Sequence, residues 1–365
     1  MLLKLVPSPE QHAALLDTMH AFNDACNAIA EVAYTEQLAN KFKVQKLVYA
    51  DIRKRFKLSS QMAIRAISKT CEVYKRDKSI RPTFRREGAI TYDERLMSFK
   101  GLSEVSLLTL SGRVLVPFRI GGYQQSRLDS IKGQADLLYR NGQFYLAVTL
   151  DVPVPDPIDP EGGTLGVDLG IVNLATDSEG ETFSGQAIEK NRVAMSALRQ
   201  RLQKRGTKSA KRHLRQLSGR EARFKRNTNH VISKHIVSKA KQQRQAIAIE
   251  DLRHIRQRTD STVRRSQRNR HSSWSFFQLR FFLSYKAALS GVPLHTIDPR
   301  NTSRTCSVCG YCAKENRKSQ ASFCCVKCGH SMNADWNAAV NISRAAPSCS
   351  LLSRSVAHLD NQMSA

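Results

Sequence analysis

Residues 164–185, TLGVDLGIVNLATDSEGETFSG, decide how the larger part of the chain is read. The apolar run LGVDLG places Asp168 between two glycines at the end of a buried strand. A tight turn at Gly170 and two further short strands follow. A second buried strand, AIAIED at 246–251, closes on Glu250. A third acid, Asp335, opens the helical pattern ADWNAAVNI, in which Ala338, Ala339 and Ile342 fall at i+3, i+4 and i+7 from it. One acid at a strand end is usually a turn former, so the weight rests on the three together.

An acid on the first strand of a hairpin, a second ending a later strand and a third on a late helix form the acidic arrangement of RNase H-like nucleases. The chemistry accounts for the residue type. Two Mg²⁺ ions about 3.5–4 Å apart, activating water for in-line attack on phosphorus, need carboxylates to offset their charge. Hard oxygen ligands suit Mg²⁺, with Mn²⁺ as a substitute, and thiolates do not.

Just before Asp335 lie two CxxC pairs, Cys306/Cys309 and Cys325/Cys328, with 15 residues between them. Each pair turns two thiolates toward one point, and four soft thiolates complete a tetrahedral Zn²⁺ site. Such a site is coordinatively full, so one structural zinc is expected, supplying folding energy to a small module with little core of its own. Cys312 and Cys324 are extras, and His330, just after the closing Cys-Gly, reads as a surface residue. Cys26 and Cys71 fall on apolar helical faces and read as small core residues.

The charge balance narrows the partner. In 365 residues, 58 Lys plus Arg stand against 31 Asp plus Glu, a formal +27. That excess is best explained by a polyanion, and nucleic acid fits better than a membrane. No stretch approaches the ~18 apolar residues of a span, and the opening MLLKLVPSPEQ is too short for a signal peptide. A reducing cytoplasm is therefore expected, where clustered cysteines favour metal over disulfide. Residues 190–244 hold 18 Lys and Arg and the single acid Glu221, and long helices fit there. A solvated face normally mixes signs, so this imbalance reads as a phosphate-tracking surface. A second basic stretch, RTDSTVRRSQRNRH, precedes WSFFQLRFFLSYKA. The latter reads as a buried helix, because Trp274, Phe277, Leu279, Phe281 and Phe282 cover too much of its circumference for a surface.

Upstream, Ser8-Pro9-Glu10-Gln11 reads as a capping box opening a helix along Leu15, Leu16, Met19, Phe22, Cys26, Ile29 and Val32. Another helix starts near Ser59-Ser60, so 9–80 form a helical unit. From residue 89 the pattern is β-rich, with turns at Ser111-Gly112 and Asn141-Gly142. The proline-rich DVPVPDPIDPEGG then reads as a linker.

The phrases GVDLGIVNLA, IAIEDL, TSRTCSVCG, FCCVKCGHSMNADWNAAVNI and RPTFRREGAITYDERL resemble the TnpB (OrfB) family of transposon-encoded proteins, relatives of the type V CRISPR nucleases. The resemblance covers roughly residues 85–343. It implies an α/β and α+β multidomain chain: a RuvC-like nuclease domain of RNase H fold with an inserted zinc ribbon, and a wedge β-barrel interrupted by a helical recognition domain. The expected boundaries are 1–8 for the first wedge strand, 9–85 for the recognition helices, 86–155 for the wedge and 156–163 for the linker. The RuvC-like domain then takes 164–302, the ribbon 303–331, the last RuvC-like helix 332–345 and a mobile tail 346–365.

By motif position, Asp168, Glu250 and Asp335 match the family's catalytic, Mg²⁺-binding acids, and Cys306, Cys309, Cys325 and Cys328 its zinc ligands. The implied partners are a guide RNA from the transposon end and target DNA beside a short recognised motif, with no membrane and no small-molecule substrate. The implied activity is RNA-guided DNA cleavage in a bacterial or archaeal cytoplasm, at the nucleoid. Three rivals stand beside it: a guided repressor that cuts little, a guide-free nuclease or resolvase, and a strand-transferring transposase.

Overall fold

The computed structural model describes residues 1–252, 276–319 and 321–346. The chain divides into two units, Met1–Val152 and Pro153–Ala365. The strands of the first are β1 (Leu2–Leu5), β2 (Ile90–Tyr92), β3 (Met97–Lys100), β4 (Glu104–Thr109), β5 (Gly112–Arg119), β6 (Ile131–Arg140) and β7 (Gln143–Leu150). They form one antiparallel sheet in the order β2-β6-β7-β1-β5-β4-β3. Its two edge strands are consecutive in the chain and joined only by residues 93–96. So short a link forces the sheet to curl until its edges approach, leaving it nearly closed. The Tyr92 hydroxyl on β2 accordingly donates to the Leu108 carbonyl on β4, at 2.9 Å. At the β6–β7 hairpin Asn141 and Gly142 both take positive φ, 51° and 77°, as the Asn-Gly signal predicts.

Three helices lie between β1 and β2: α1 (Pro9–Thr35), α2 (Lys41–Phe56) and α3 (Ser60–Arg76); a short α4 (Gly122–Gln125) follows β5. The capping box is present, with Gln11 N donating to Ser8 Oγ and Ser8 N to Gln11 Oε1. Leu15, Met19, Phe22, Cys26 and Ile29 of α1 share a core with Met62, Ala66, Cys71 and Tyr74 of α3, and both cysteines are buried as expected. The sequence reading did not single out α2, whose only three buried positions, Val44, Val48 and Ile52, are set among Lys, Arg and Asp residues.

In the second unit β8 (Thr164–Asp168), β9 (Asn173–Asp177), β10 (Thr182–Ser184), β11 (Ala246–Glu250) and β12 (Leu294–Ile297) lie in the order β10-β9-β8-β11-β12. β9 runs antiparallel to both β8 and β10, and β11 runs parallel to both β8 and β12. All five residues of β11 are buried, because both faces of the strand are covered. Ile247 and Ile249 meet α6 (Lys208–Gln242) and α7 (Phe276–Ser290) through Ile232, Ile236, Leu279 and Leu283. Ala248 faces the other way, toward Ile342 of α8 (Ala334–Ala345). A further helix, α5 (Gln186–Arg205), precedes α6; Gly206 ends it in the left-handed region at φ 65°, and Thr207 caps the next.

One expectation is overturned. Helix α7 is not buried on all sides: Leu279 and Phe282 are inside, but Phe277 is 80% and Phe281 46% exposed. The helix packs on α6 by one face only, and an apolar run long enough to cover a whole circumference says nothing about how many neighbours the fold supplies. Trp274, the basic stretch 258–271 and the tail from 347 onward lie outside the described residues.

Candidate metal centres

The three acids converge. Asp168 ends β8 and Glu250 ends the adjacent parallel β11, so both carboxylates emerge at the same edge of the sheet. Helix α8 brings the third by running antiparallel to β8. Its backbone lies so close over Gly166 that a Cβ there would overlap the Ala339 carbonyl and the Ser343 N–H. Ser343 Oγ donates to the Thr164 carbonyl at the start of β8, which leaves Asp335, in the first turn, beside the strand's end. Asn333 caps that turn, its Oδ1 accepting from Asp335 N and Trp336 N. Gly166 is thus required by this contact, inside the strand, while the turn belongs to Gly170.

Electrostatics marks this cluster. Loss of hydration, then the Glu250 and Asp335 carboxylates, push the Asp168 carboxyl up to about 8, against the Arg317 guanidinium and the Leu169 N–H. Burial also raises Glu250, opposed by a hydrogen bond from Thr302 and by Arg317. Thr302 Oγ1 donates to Glu250 Oε1, Asn173 Nδ2 donates to Asp335 Oδ2 at 2.9 Å, and Arg317 lies 3.7 Å from Asp335 Oδ1. Burial, with the crowded negative charge beside it, keeps a proton on one carboxyl near neutral pH, and a divalent cation relieves both. Sequence reasoning missed Asn173, Thr302 and Arg317. Asn173 and Thr302 come from segments remote from the acids they touch, Arg317 from the loop between the two CxxC pairs, and no local pattern announces such contacts.

The thiols gather as the spacing requires. Sγ atoms of Cys306, Cys309, Cys325 and Cys328 all lie within 4.8 Å of one another. Cys306 and Cys328 are 3.7 Å apart, and Cys309 and Cys325 3.6 Å. Zn–S bonds of about 2.3 Å in a tetrahedron put sulfurs about 3.8 Å apart, so the cage fits zinc. The two knuckles are built alike. Gly310 N donates to Cys306 O and Gly329 N to Cys325 O, with both glycines at left-handed φ, 72° and 73°. Buried Asn316 joins the knuckles, donating to Arg304 and Tyr311 carbonyls and accepting from Val326 N. Cys312 is exposed, Cys324 half-buried, and His330 meets Met332 Sδ at 3.1 Å.

Around the α5–α6 turn, Arg201, Lys204, Arg205, Lys208, Lys211 and Arg212 are all exposed. The one acid of this region, Glu221, is engaged by Arg199 at 2.7 Å and Lys225 at 3.0 Å, well away from the turn. Lys239, further along α6, is taken up by Asp177, Glu179 and Glu181, which tie the β9–β10 hairpin to the helix. The positive charge at the turn is therefore left facing solvent.

Two family models match: the probable transposase model OrfB_IS605 over residues 147–270, and the Cas12f1-like TNB domain over 276–342. The chain is 26% identical over 302 residues to the putative RNA-guided DNA endonuclease InsQ of Escherichia coli K12, covering 77% of this chain and 72% of that one. It is 33% identical to the Cas12f1 endodeoxyribonuclease of Sulfoacidibacillus thermotolerans, over 56% of this chain and 50% of that protein. Against the TnpB-like protein MJ0751 of Methanocaldococcus jannaschii it is 33% identical over 125 residues, 34% of this chain and 44% of that one. The chain thus matches about half the length of its Cas12f1 relative. Among solved structures, the Cas12f1 chain of a Cas12f1–sgRNA–target DNA complex shares the fold, with a TM-score of 0.59 at 14% identity, over 90% of this chain and 82% of that one. By these matches the chain is similar to the TnpB proteins and to the type V CRISPR effectors related to them.

Proposed function

We propose that this protein is a transposon-encoded, RNA-guided DNA endonuclease that hydrolyses target DNA at Asp168, Glu250 and Asp335. The observation that carries the chemistry is the convergence of these acids at one sheet edge, with the Asp168 carboxyl pushed up to about 8 by burial and the other two. The relatives named as RNA-guided or CRISPR-associated endonucleases support the activity, and the sgRNA and DNA in the Cas12f1 complex support the partners.

The architecture supports a finer reading. A mixed sheet ordered β10-β9-β8-β11-β12, antiparallel on one side and parallel on the other, is that of an RNase H fold, so the second unit is the RuvC-like domain over 164–302 and 332–345. The ribbon, 303–331, is inserted between β12 and α8. The nearly closed sheet of the first unit, 1–8 and 86–155, is the wedge. Residues 9–85 are the recognition helices, 156–163 the linker and 346–365 the tail.

Asp168, Glu250 and Asp335 would hold two Mg²⁺ ions, or Mn²⁺ in their place, while the four cysteines would hold one Zn²⁺. When bound, the divalent cations supply an activated water and offset the charge developing on the leaving 3′-oxygen. The chain's own groups do the rest. Asn173 and Arg317 orient Asp335, Thr302 orients Glu250, and Arg317 adds a fixed positive charge beside the scissile phosphate's site. The α5–α6 turn tracks backbone phosphates, leaving sequence to base pairing between guide and target. Clustered cysteines that hold zinc instead of pairing as disulfides fit a reducing compartment, which supports work in the cytoplasm on nucleoid DNA.

The test is RNA dependence. RNA that co-purifies with the protein is sequenced, and a duplex matching it is offered with and without that RNA. Cutting confined to the guided, matched duplex is expected. Cutting without RNA would favour a guide-free nuclease, and guided binding without cutting a repressor.

A further inference from the structure

Two asparagines one turn apart on α8 tie the zinc ribbon to the carboxylate site. Asn337 is fully buried. Its Nδ2 donates to the Thr305 carbonyl at 2.8 Å, and its Oδ1 accepts from Ser307 N at 3.0 Å, so one amide brackets the zinc ligand Cys306. Asn341 donates to the carbonyls of Thr302 and Thr305, at 2.8 and 2.7 Å. The Arg344 guanidinium closes the row on the Ser307 carbonyl. One face of α8 therefore grips the strap 302–307 along its length. The first residue of the strap, Thr302, donates to Glu250, and the helix that grips it carries Asp335 in its first turn. Between the knuckles, Arg317 reaches back to Asp335.

Among the described residues the ribbon has little apolar core of its own. Its core is Cys306, Phe323, Cys325 and Ala334, with Met332 beside them; two of these are zinc ligands and Ala334 already belongs to α8. A module so small depends on its metal for order. When the cage empties, the strap loses its anchor, and with it goes the hydrogen bond that holds Glu250 in place. Neither amide can be replaced cheaply: without Asn341 the Thr302 carbonyl loses its donor, and without Asn337 the Ser307 N–H loses its acceptor.

We propose that Asn337 and Asn341 are positioning residues that couple zinc occupancy of the thiolate cage to divalent-cation affinity at Asp168, Glu250 and Asp335. The proposal rests on the reading of both sites under the proposed function. The coupling is a linkage between two metal sites, so each metal favours the other by the same factor.

Full-length protein is titrated with Mn²⁺ and followed by electron paramagnetic resonance, taking the Asp168-dependent part of binding as the signal. It is compared as zinc-loaded and zinc-stripped forms of wild type and Asn341→Ala, with Asn341→Ser as a milder second variant and zinc content measured in each. Stripping zinc from wild type should weaken Mn²⁺ binding by about tenfold, within the usual range of coupling. Zinc-loaded Asn341→Ala should show part of that loss, and stripping should then cost it less than wild type, because the coupled effects do not add. Equal Mn²⁺ affinity with and without zinc in wild type overturns the proposal, and so does an undiminished effect of stripping in Asn341→Ala and Asn341→Ser. If Asp168→Ala binds Mn²⁺ as wild type does, the carboxylate reading itself fails, a result distinct from loss of the coupling alone.

Discussion

At the scale of single residues the proposed chemistry centres on Asp168, and its proton is a usable signal. A carboxyl raised from 3.8 to about 8 binds its proton in the metal-free fold while the unfolded chain has already lost its own. The metal-free protein therefore loses stability as pH climbs from 3.8 to about 8, the window set by that shift. A cation competes with the same proton. The rise in melting temperature on adding Mg²⁺ should be larger at about pH 8.5 than at about pH 6.5, and Asp168→Asn should flatten the difference. A rise independent of pH in wild type would show that Asp168 is not where the cation binds. The acids were legible in the sequence because each ends or opens an element with a strong apolar pattern. Asn173, Thr302 and Arg317 were not, because they orient the acids from separate segments of the chain. The asparagines 337 and 341 left a faint trace, a spacing of four on the helix that carries Asp335.

At the scale of elements, the ribbon was the most legible part and α7 the least. Four cysteines at fixed spacing specify a cage through covalent geometry and metal preference, which need no knowledge of the rest of the fold. Cys325→Ser should release about one zinc per chain and loosen the ribbon, whereas Cys312→Ser, at an exposed thiol, should retain zinc. Unchanged zinc in Cys325→Ser would break the ligand assignment. For α7, hydrophobicity alone could not say that α6 covers one face and leaves Phe277 and Phe281 outside. Helices α5 and α6 fall between these cases: the charge imbalance was plain, but which cations an acid engages was not. Arg199 is paired with Glu221, so it is left out of the next test. Replacing Arg201, Lys204, Arg205, Lys211 and Arg212 by Gln should weaken nucleic-acid binding and flatten its dependence on log salt, by about 0.9 for each duplex phosphate no longer neutralised. An unchanged slope would make the turn an ordinary solvated surface.

At the scale of the whole molecule, a basic chain holds a small, crowded acidic centre that its own cations only partly balance. The sheet order places two acids by strand pairing, Gly166 lets α8 deliver the third, and the strap and ribbon hold the result in place. The proposed function puts nucleic-acid binding and catalysis on different residues, so the two should separate by mutation. The most direct measurement is cleavage of a guide-matched duplex in Mg²⁺ by wild type and Asp168→Ala, each loaded with the same RNA, with binding of RNA and target followed in parallel. Asp168→Ala should keep binding and lose nearly all cleavage, and adding Glu250→Ala or Asp335→Ala should cost little more, because the site fails as a unit. Equal cutting by wild type and Asp168→Ala would contradict the assignment of catalysis to these carboxylates.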